Sequence, residues 1–138
     1  MPPLRLESIL VGGDRAVLRV AGEVNVSTAG HLRERVIQLV DDGTVHLLAD
    51  LRPVTFLDST GLGALVGSLK RLRVRDGSLT LVIGADRNLR LLRVTGLDRV
   101  FVLRPSVQEA VTADQHWQAA VTGAGDTVED WCRRHELT

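Results

Sequence analysis

Asp58-Ser59-Thr60-Gly61-Leu62-Gly63 places a carboxylate, two hydroxyls and two glycines within six consecutive positions. The run follows apolar Val54 to Leu57 and precedes Leu62, Leu65, Val66, Leu69 and Leu72, which recur at helical spacing. Such a stretch is a strand that delivers Asp58, Ser59 and Thr60 to the start of a helix. Unpaired backbone N–H groups and the positive end of the helix dipole gather there. That position favours an anion, including a phosphate attached to a hydroxyl. Two readings are open. Asp58 or Ser59 serves only as the helix N-cap, for which both residue types are preferred, or a hydroxyl of the run carries a regulatory phosphate.

Other chemistries fit less well. Gly61-x-Gly63-x-x-x-Gly67 between a strand and a helix invites a dinucleotide, and Asp86 lies roughly where an acid for a ribose would be sought. The spacing departs from the commoner fingerprint, 138 residues leave little room for a substrate site, and close helix–sheet packing explains the glycines equally well. A serine hydrolase would want glycine two residues before Ser59, where Leu57 stands. His31, His46, His116 and His135 have no spacing that marks a base, and solvent-facing or locally hydrogen-bonded rings are expected. Asp58-Ser59-Thr60-Gly61 has one residue too many for an aspartic-protease loop and no second copy. The acids are scattered and Cys132 is alone, so neither a metal, a cofactor nor a disulfide is expected.

Composition narrows the partners. Lys plus Arg and Asp plus Glu each number 17, and aromatics are 3%, too few for a platform that stacks single-stranded nucleic acid. No nucleic-acid partner is expected. Arg87, Arg90 and Arg93 read as a solvated helix face. Apolar runs fall well short of the ~18 residues of a membrane span, and Met1-Pro2-Pro3-Leu4-Arg5 lacks the layout of a signal peptide. A cytoplasmic, membrane-free setting is the expectation.

The elements that must position the run follow from periodicity. Leu4 to Val11, the turn signal Gly12-Gly13-Asp14 and Ala16 to Ala21 predict a β-hairpin. Ser27 and Thr28 open a helix through about Asp41, with Ala29, Leu32, Val36, Leu39 and Val40 on one face. Val45 to Ala49 reads as a buried central strand, Val54 to Leu57 as another, and Gly61 to about Arg75 as the second helix. Ser78 to Ile83 predicts a strand, Arg87 to Val94 a helix and Val100 to Leu103 the last strand. Ser106 and Glu109 form a capping box for a final helix. The order β-β-α-β-α-β-α-β-α implies an α/β fold, a mixed sheet with helices packed on it. Residues 1–112 make one domain. Residues 113–138 are a partly helical extension in which Gly123-Ala124-Gly125 is a linker, Thr127 to Asp130 cap a short helix, and Trp117 and Trp131 pin the segment to the domain.

Asp58-Ser59-Thr60-Gly61-Leu62-Gly63 resembles the signature of bacterial STAS-domain anti-sigma factor antagonists. Gly22-Glu23 before Ser27-Thr28-Ala29, Asp76-Gly77-Ser78-Leu79 and Thr95-Gly96-Leu97 resemble further segments of that family, in the right order over about residues 4 to 112. The resemblance implies a single STAS-type domain and a non-enzymatic partner switch. The unmodified protein would bind an anti-sigma factor that is also a serine kinase and so free the sigma factor. Phosphorylation at Ser59, with Thr60 the adjacent alternative, would release it, and a metal-dependent serine phosphatase would reverse the step. Glu23, Asn25, Asp58, Ser59, Thr60, Gly61, Leu62 and Gly63 would form the partner surface, Gly61 and Gly63 also letting the helix start pack closely. The family commonly has aspartate where this chain has Asn25, and turn chemistry is an equal account of Glu23 and Asn25. A STAS scaffold or transporter accessory subunit outside sigma control is the alternative function, and a small nucleotide-binding enzyme a distant third.

Overall fold

The ten residues of β2 (Arg15–Val24) serve two partners, and that division sets the frame for the site. In the computed structural model, which describes residues 3–137, the first half of β2 runs parallel to β3 (His46–Asp50), from Arg15 beside His46 to Arg19 beside Asp50. The second half runs parallel to β4 (Val54–Leu57), with Glu23 beside Phe56 and Val24 beside Leu57. The register shifts between Gly22 and Glu23. Gly22 sits there at φ 99°, and a Cβ would collide with the Pro3 carbonyl oxygen, so the branch needs glycine.

On the outer side of β2, β1 (Arg5–Gly12) forms the antiparallel hairpin. On the inner side the sheet continues β3, β5 (Ser78–Val82) and β6 (Val102–Arg104), all parallel, giving the order β1-β2-β3-β5-β6 with β4 attached to β2. Every residue of β3 is buried, as the nearly continuous apolar run Val45 to Ala49 predicts for a strand covered on both faces, and the polar end residues His46 and Asp50 are buried with it.

Side chains alternate across the sheet and divide between two cores. The front core joins Leu18, Val20, Leu47, Ala49 and Leu81 to α1 (Ala29–Asp41), α2 (Ser59–Val74) and α3 (Arg87–Val94) through Leu32, Val36, Leu65, Leu69, Leu72 and Leu92. The back core joins Val17, Leu48 and Val82 to α4 (Val107–Ala113), α5 (Gln115–Ala124) and α6 (Val128–Arg134) through Val107, Val111, Trp117, Val121 and Trp131. The mixed sheet, the alternation of strands and helices and the strand-to-helix delivery at residue 58 agree with the pattern read from the sequence, with β4 one strand more than that order counts and α5 and α6 following it.

Several boundaries differ for local reasons. Helix α2 begins at Ser59 rather than Gly61, because Asp58 rather than a later hydroxyl caps it. Strand β6 begins at Val102 rather than Val100, since Leu97–Arg99 form a 3-10 turn and the amides of Val100 and Phe101 donate to the Leu97 carbonyl at 3.0 and 3.1 Å. The helix that opens at Ser106 ends at Ala113. Asp114 is extended there and caps α5, accepting from the His116 amide at 2.8 Å. Gly123 and Ala124, expected in a linker, complete α5, and Gly125 ends it at φ 76°. Thr127 caps α6 through the Asp130 amide at 3.2 Å.

Candidate functional site

The ends of β2 and β4 lie side by side, so residues 23–25 come next to residues 58–60. The Asp58 amide donates to the Val24 carbonyl at 3.3 Å and seals the junction. Upstream, Asp50 fixes the approach of β4. Its carboxylate, 2% exposed, accepts from Arg52 Nε and Nη2 at 2.9 Å each and from the Arg52 amide at 3.1 Å. These hydrogen bonds push the Arg52 guanidinium's pKa up against the opposing effect of burial. On the far side, buried Asn88 of α3 donates from Nδ2 to the Val54 carbonyl at 2.9 Å.

Asp58 is the N-cap of α2, and its Oδ1 accepts from the Gly61 amide at 2.9 Å. Ser59 therefore occupies the first helical position, and its side chain is exposed, with Thr60 half-buried beside it. The Asp58 carboxylate takes the capping role and leaves the Ser59 hydroxyl outside it.

The two glycines do different things. A Cβ on Gly61 would meet Leu57 Cδ1 at 2.6 Å, the Val24 carbonyl oxygen at 2.8 Å and Val24 Cγ1 at 2.9 Å, so glycine is what lets α2 sit against the strand ends. Gly63 was expected to share that role, but a Cβ there meets nothing within 4 Å, and the residue is exposed. Gly67 is likewise open and exposed. Ser59, Gly63 and Gly67 lie four residues apart in turn and so line one face of α2, where the backbone is bare. Leu62 points the other way into the front core and is 5% exposed.

Across the junction, Asn25 is occupied by its own turn. Its Oδ1 accepts from the Ser27 amide at 2.9 Å and lies 3.3 Å from the Thr28 hydroxyl oxygen. The Thr28 hydroxyl donates to the Glu23 carbonyl at 2.8 Å and accepts from the Asn25 amide at 2.9 Å. Thr28 stands at the N-cap of α1, but its hydroxyl is committed to this turn and makes no side-chain cap to the helix. Asparagine thus supplies the acceptor the turn requires, and Glu23 remains half-buried at the strand end. Two residues the sequence argument passed over complete this surface. Val26, beside Asn25, is 77% exposed. Phe56, paired with Glu23 in the sheet, carries the Arg87 guanidinium 4.8 Å from its ring centroid. An exposed valine within a polar turn is the one sequence signal that marks this loop.

Among the described residues, no group of three or more His, Cys, Asp or Glu is placed to hold a metal ion, and no helix is long and apolar enough to cross a membrane. Arg87 begins α3, as the expected solvated face requires, with Asp86 capping the helix through the Asn88 amide at 2.9 Å.

The family model of the STAS domain matches residues 8–110. An anti-sigma-B factor antagonist of Bacillus subtilis is 40% identical over 80 residues, which cover 58% of this chain and 72% of that protein. One of Staphylococcus aureus is 40% identical over 80 residues, 58% of this chain and 74% of its own length. The crystal structure of an anti-sigma factor antagonist from Mycobacterium paratuberculosis superposes with a TM-score of 0.72 at 30% identity, covering 80% of this chain and 93% of that one. The branched β2, the Asp58-capped helix and these likenesses together make the chain a member of the STAS-domain family of anti-sigma factor antagonists.

Proposed function

We propose that this protein is an anti-sigma factor antagonist that acts by association and is switched by phosphorylation of Ser59. The unmodified chain binds an anti-sigma factor with serine kinase activity and thereby frees the sigma factor. A phosphate on Ser59 ends the association, and a metal-dependent serine phosphatase restores it. One observation carries the reading: Ser59 is exposed at the first position of α2, one turn before the bare backbone of Gly63, while Asp58 already fills the cap.

Physical chemistry gives the switch its sense. In the unmodified state a partner can approach the Ser59–Gly63–Gly67 face to backbone distance. A phosphate adds about −1.5 to −2 charge beside Asp58 at the head of that face, so it obstructs a partner there and repels acidic groups. Glu23, Asn25, Thr60 and exposed Val26 flank the face and complete the proposed contact, Asn25 chiefly by shaping the loop. Gly61 and Leu62 support it from beneath.

Phosphopeptide mass spectrometry on protein recovered from its own cells tests the reading. A phosphate on the peptide containing Ser59, absent from Ser59→Ala, is the expected result. Its absence through growth and stress would overturn the switch. The scaffold function outside sigma control would then lead.

A further inference from the structure

The second face of the sheet is covered by the chain's own C-terminal helices, and the contacts that hold them there are unusual. Val17, Leu48 and Val82 of the sheet, flanked by half-buried Ile9 and Val11, are roofed by Val107 and Val111 of α4 and, with them, by Trp117 and Val121 of α5 and Trp131 and Cys132 of α6. The leading end of this roof rests on a pair of imidazoles. His46, at the start of β3, is buried, and His116, at the start of α5, is stacked on it with ring centroids 4.2 Å apart and planes 19° from parallel. His46 Nδ1 is 2.8 Å from Ser78 Oγ of β5, and Arg15 Nε of β2 donates to the His116 carbonyl at 2.7 Å. At the trailing end, Arg19 of β2 donates to the Glu136 carbonyl, and the His135 ring packs 4.7 Å from that of Trp131.

Two features set the closed roof against itself. The Trp117 Nε1–H is buried with no hydrogen-bond partner among the described residues, which opening to water would relieve. The stack also sets His116 against His46, and both it and the neighbouring Arg15 guanidinium disfavour a charge on the His46 ring.

We propose that α5 and α6 form an acid-sensitive closure over the second face of the sheet, latched at its leading end by the His46–His116 stack. Burial, then the neighbouring His116, lowers the His46 pKa, with Arg15 acting the same way and Asp14 and Asp114 against it. Burial, then Arg134, lowers that of His135, against Asp126. The sign follows from linkage. An open roof returns each ring to its ordinary pKa, near 6.5, so the open form binds protons more readily. The closed form is fully favoured above that value and loses its advantage as pH falls toward the lowered pKa. Opening would leave Val17, Leu48 and Val82 covered by α4 alone, without touching Asp58, Ser59 or Gly63. The inference is therefore independent of what binds there.

The chain offers a clean readout, because its two tryptophans, Trp117 and Trp131, both lie in the roof and it has no tyrosine. Intrinsic emission and its quenching by neutral acrylamide are measured from pH 8 to pH 5.5, alongside far-ultraviolet dichroism. The expected result is a red shift and a rise in quenching as pH falls, ahead of any loss of dichroism. The response should shrink in His116→Gln, whose site is exposed and so tolerates the change, and shrink further in His46→Gln/His116→Gln, leaving only what His135 contributes. Flat emission and quenching over this range would overturn the proposal. So would loss of dichroism in step with the emission, or a response undiminished in His116→Gln but abolished by His135→Gln.

Discussion

A methyl group on Gly61 would stand 2.8 Å from the carbonyl oxygen of Val24, the same oxygen that accepts from the Asp58 amide. The helix that presents Ser59 is therefore docked by contact with backbone, which cannot move aside as a flexible side chain would. Gly61→Ala should destabilise the fold by about 1–3 kcal/mol, the usual cost of overpacking, even though alanine is the better helix former. Urea unfolding followed by dichroism checks this, and an unchanged midpoint would show that the junction yields.

Gly63 lies two residues further on and has open space around it. Gly63→Ala should leave stability unchanged or raise it by about 0.5–1 kcal/mol, the helix-propensity difference. The same methyl stands on the face where a partner is proposed to approach to backbone distance. Affinity for the anti-sigma factor, measured by titration calorimetry, should fall while stability does not. Equal affinity would move the contact off this face.

The cap makes a separate statement. Asp58→Ala removes the acceptor for the Gly61 amide and should cost about 1 kcal/mol, whereas Asp58→Asn should lie within a few tenths of the parent, since both residues cap well. Unfolding midpoints of the two variants distinguish capping from any other role of the charge. If alanine and asparagine behave alike, the carboxylate's value is not the cap.

These contrasts show which parts of the site were legible in the sequence. That a strand hands over to a helix just after Asp58 and that β3 is central were readable, to within two residues at the helix start, because each rests on local chemistry or on an apolar run. A turn at Asn25 was one of two equal accounts. The different fates of Gly61 and Gly63 were not readable. They depend on where Val24 lies, and that is fixed by the division of β2 between β3 and β4, a long-range pairing that no spacing encodes. His46 was expected, with the other histidines, to face solvent or bond locally; it is instead buried beside Ser78, 32 residues on. Its partner in the stack is 70 residues away in sequence, at His116, and only the folding of α5 over the back of the sheet brings the rings together. Val26 stood in plain view as an apolar residue in a polar turn, but without the fold nothing brought that turn next to the start of α2.

Leu47 and Leu48 put the two-core architecture to a direct test. They are adjacent in β3 and both buried, yet Leu47 belongs to the front core and Leu48 to the back. Truncating either to alanine should cost about 2–5 kcal/mol through lost burial and the cavity left behind. The two variants should nevertheless differ in the folded state. Leu48→Ala opens space in the core that holds Trp117 and Trp131, so native emission should shift to the red and acrylamide quenching should rise before any denaturant is added. Leu47→Ala opens space beneath α1 and α2, and its native emission should match the parent, because both tryptophans lie beyond the sheet. Matching native spectra in the two variants would mean that the cores are not separated as described. A red shift confined to Leu48→Ala would establish that one strand serves two layers, the front presenting Ser59 and the back closed by the chain's own helices.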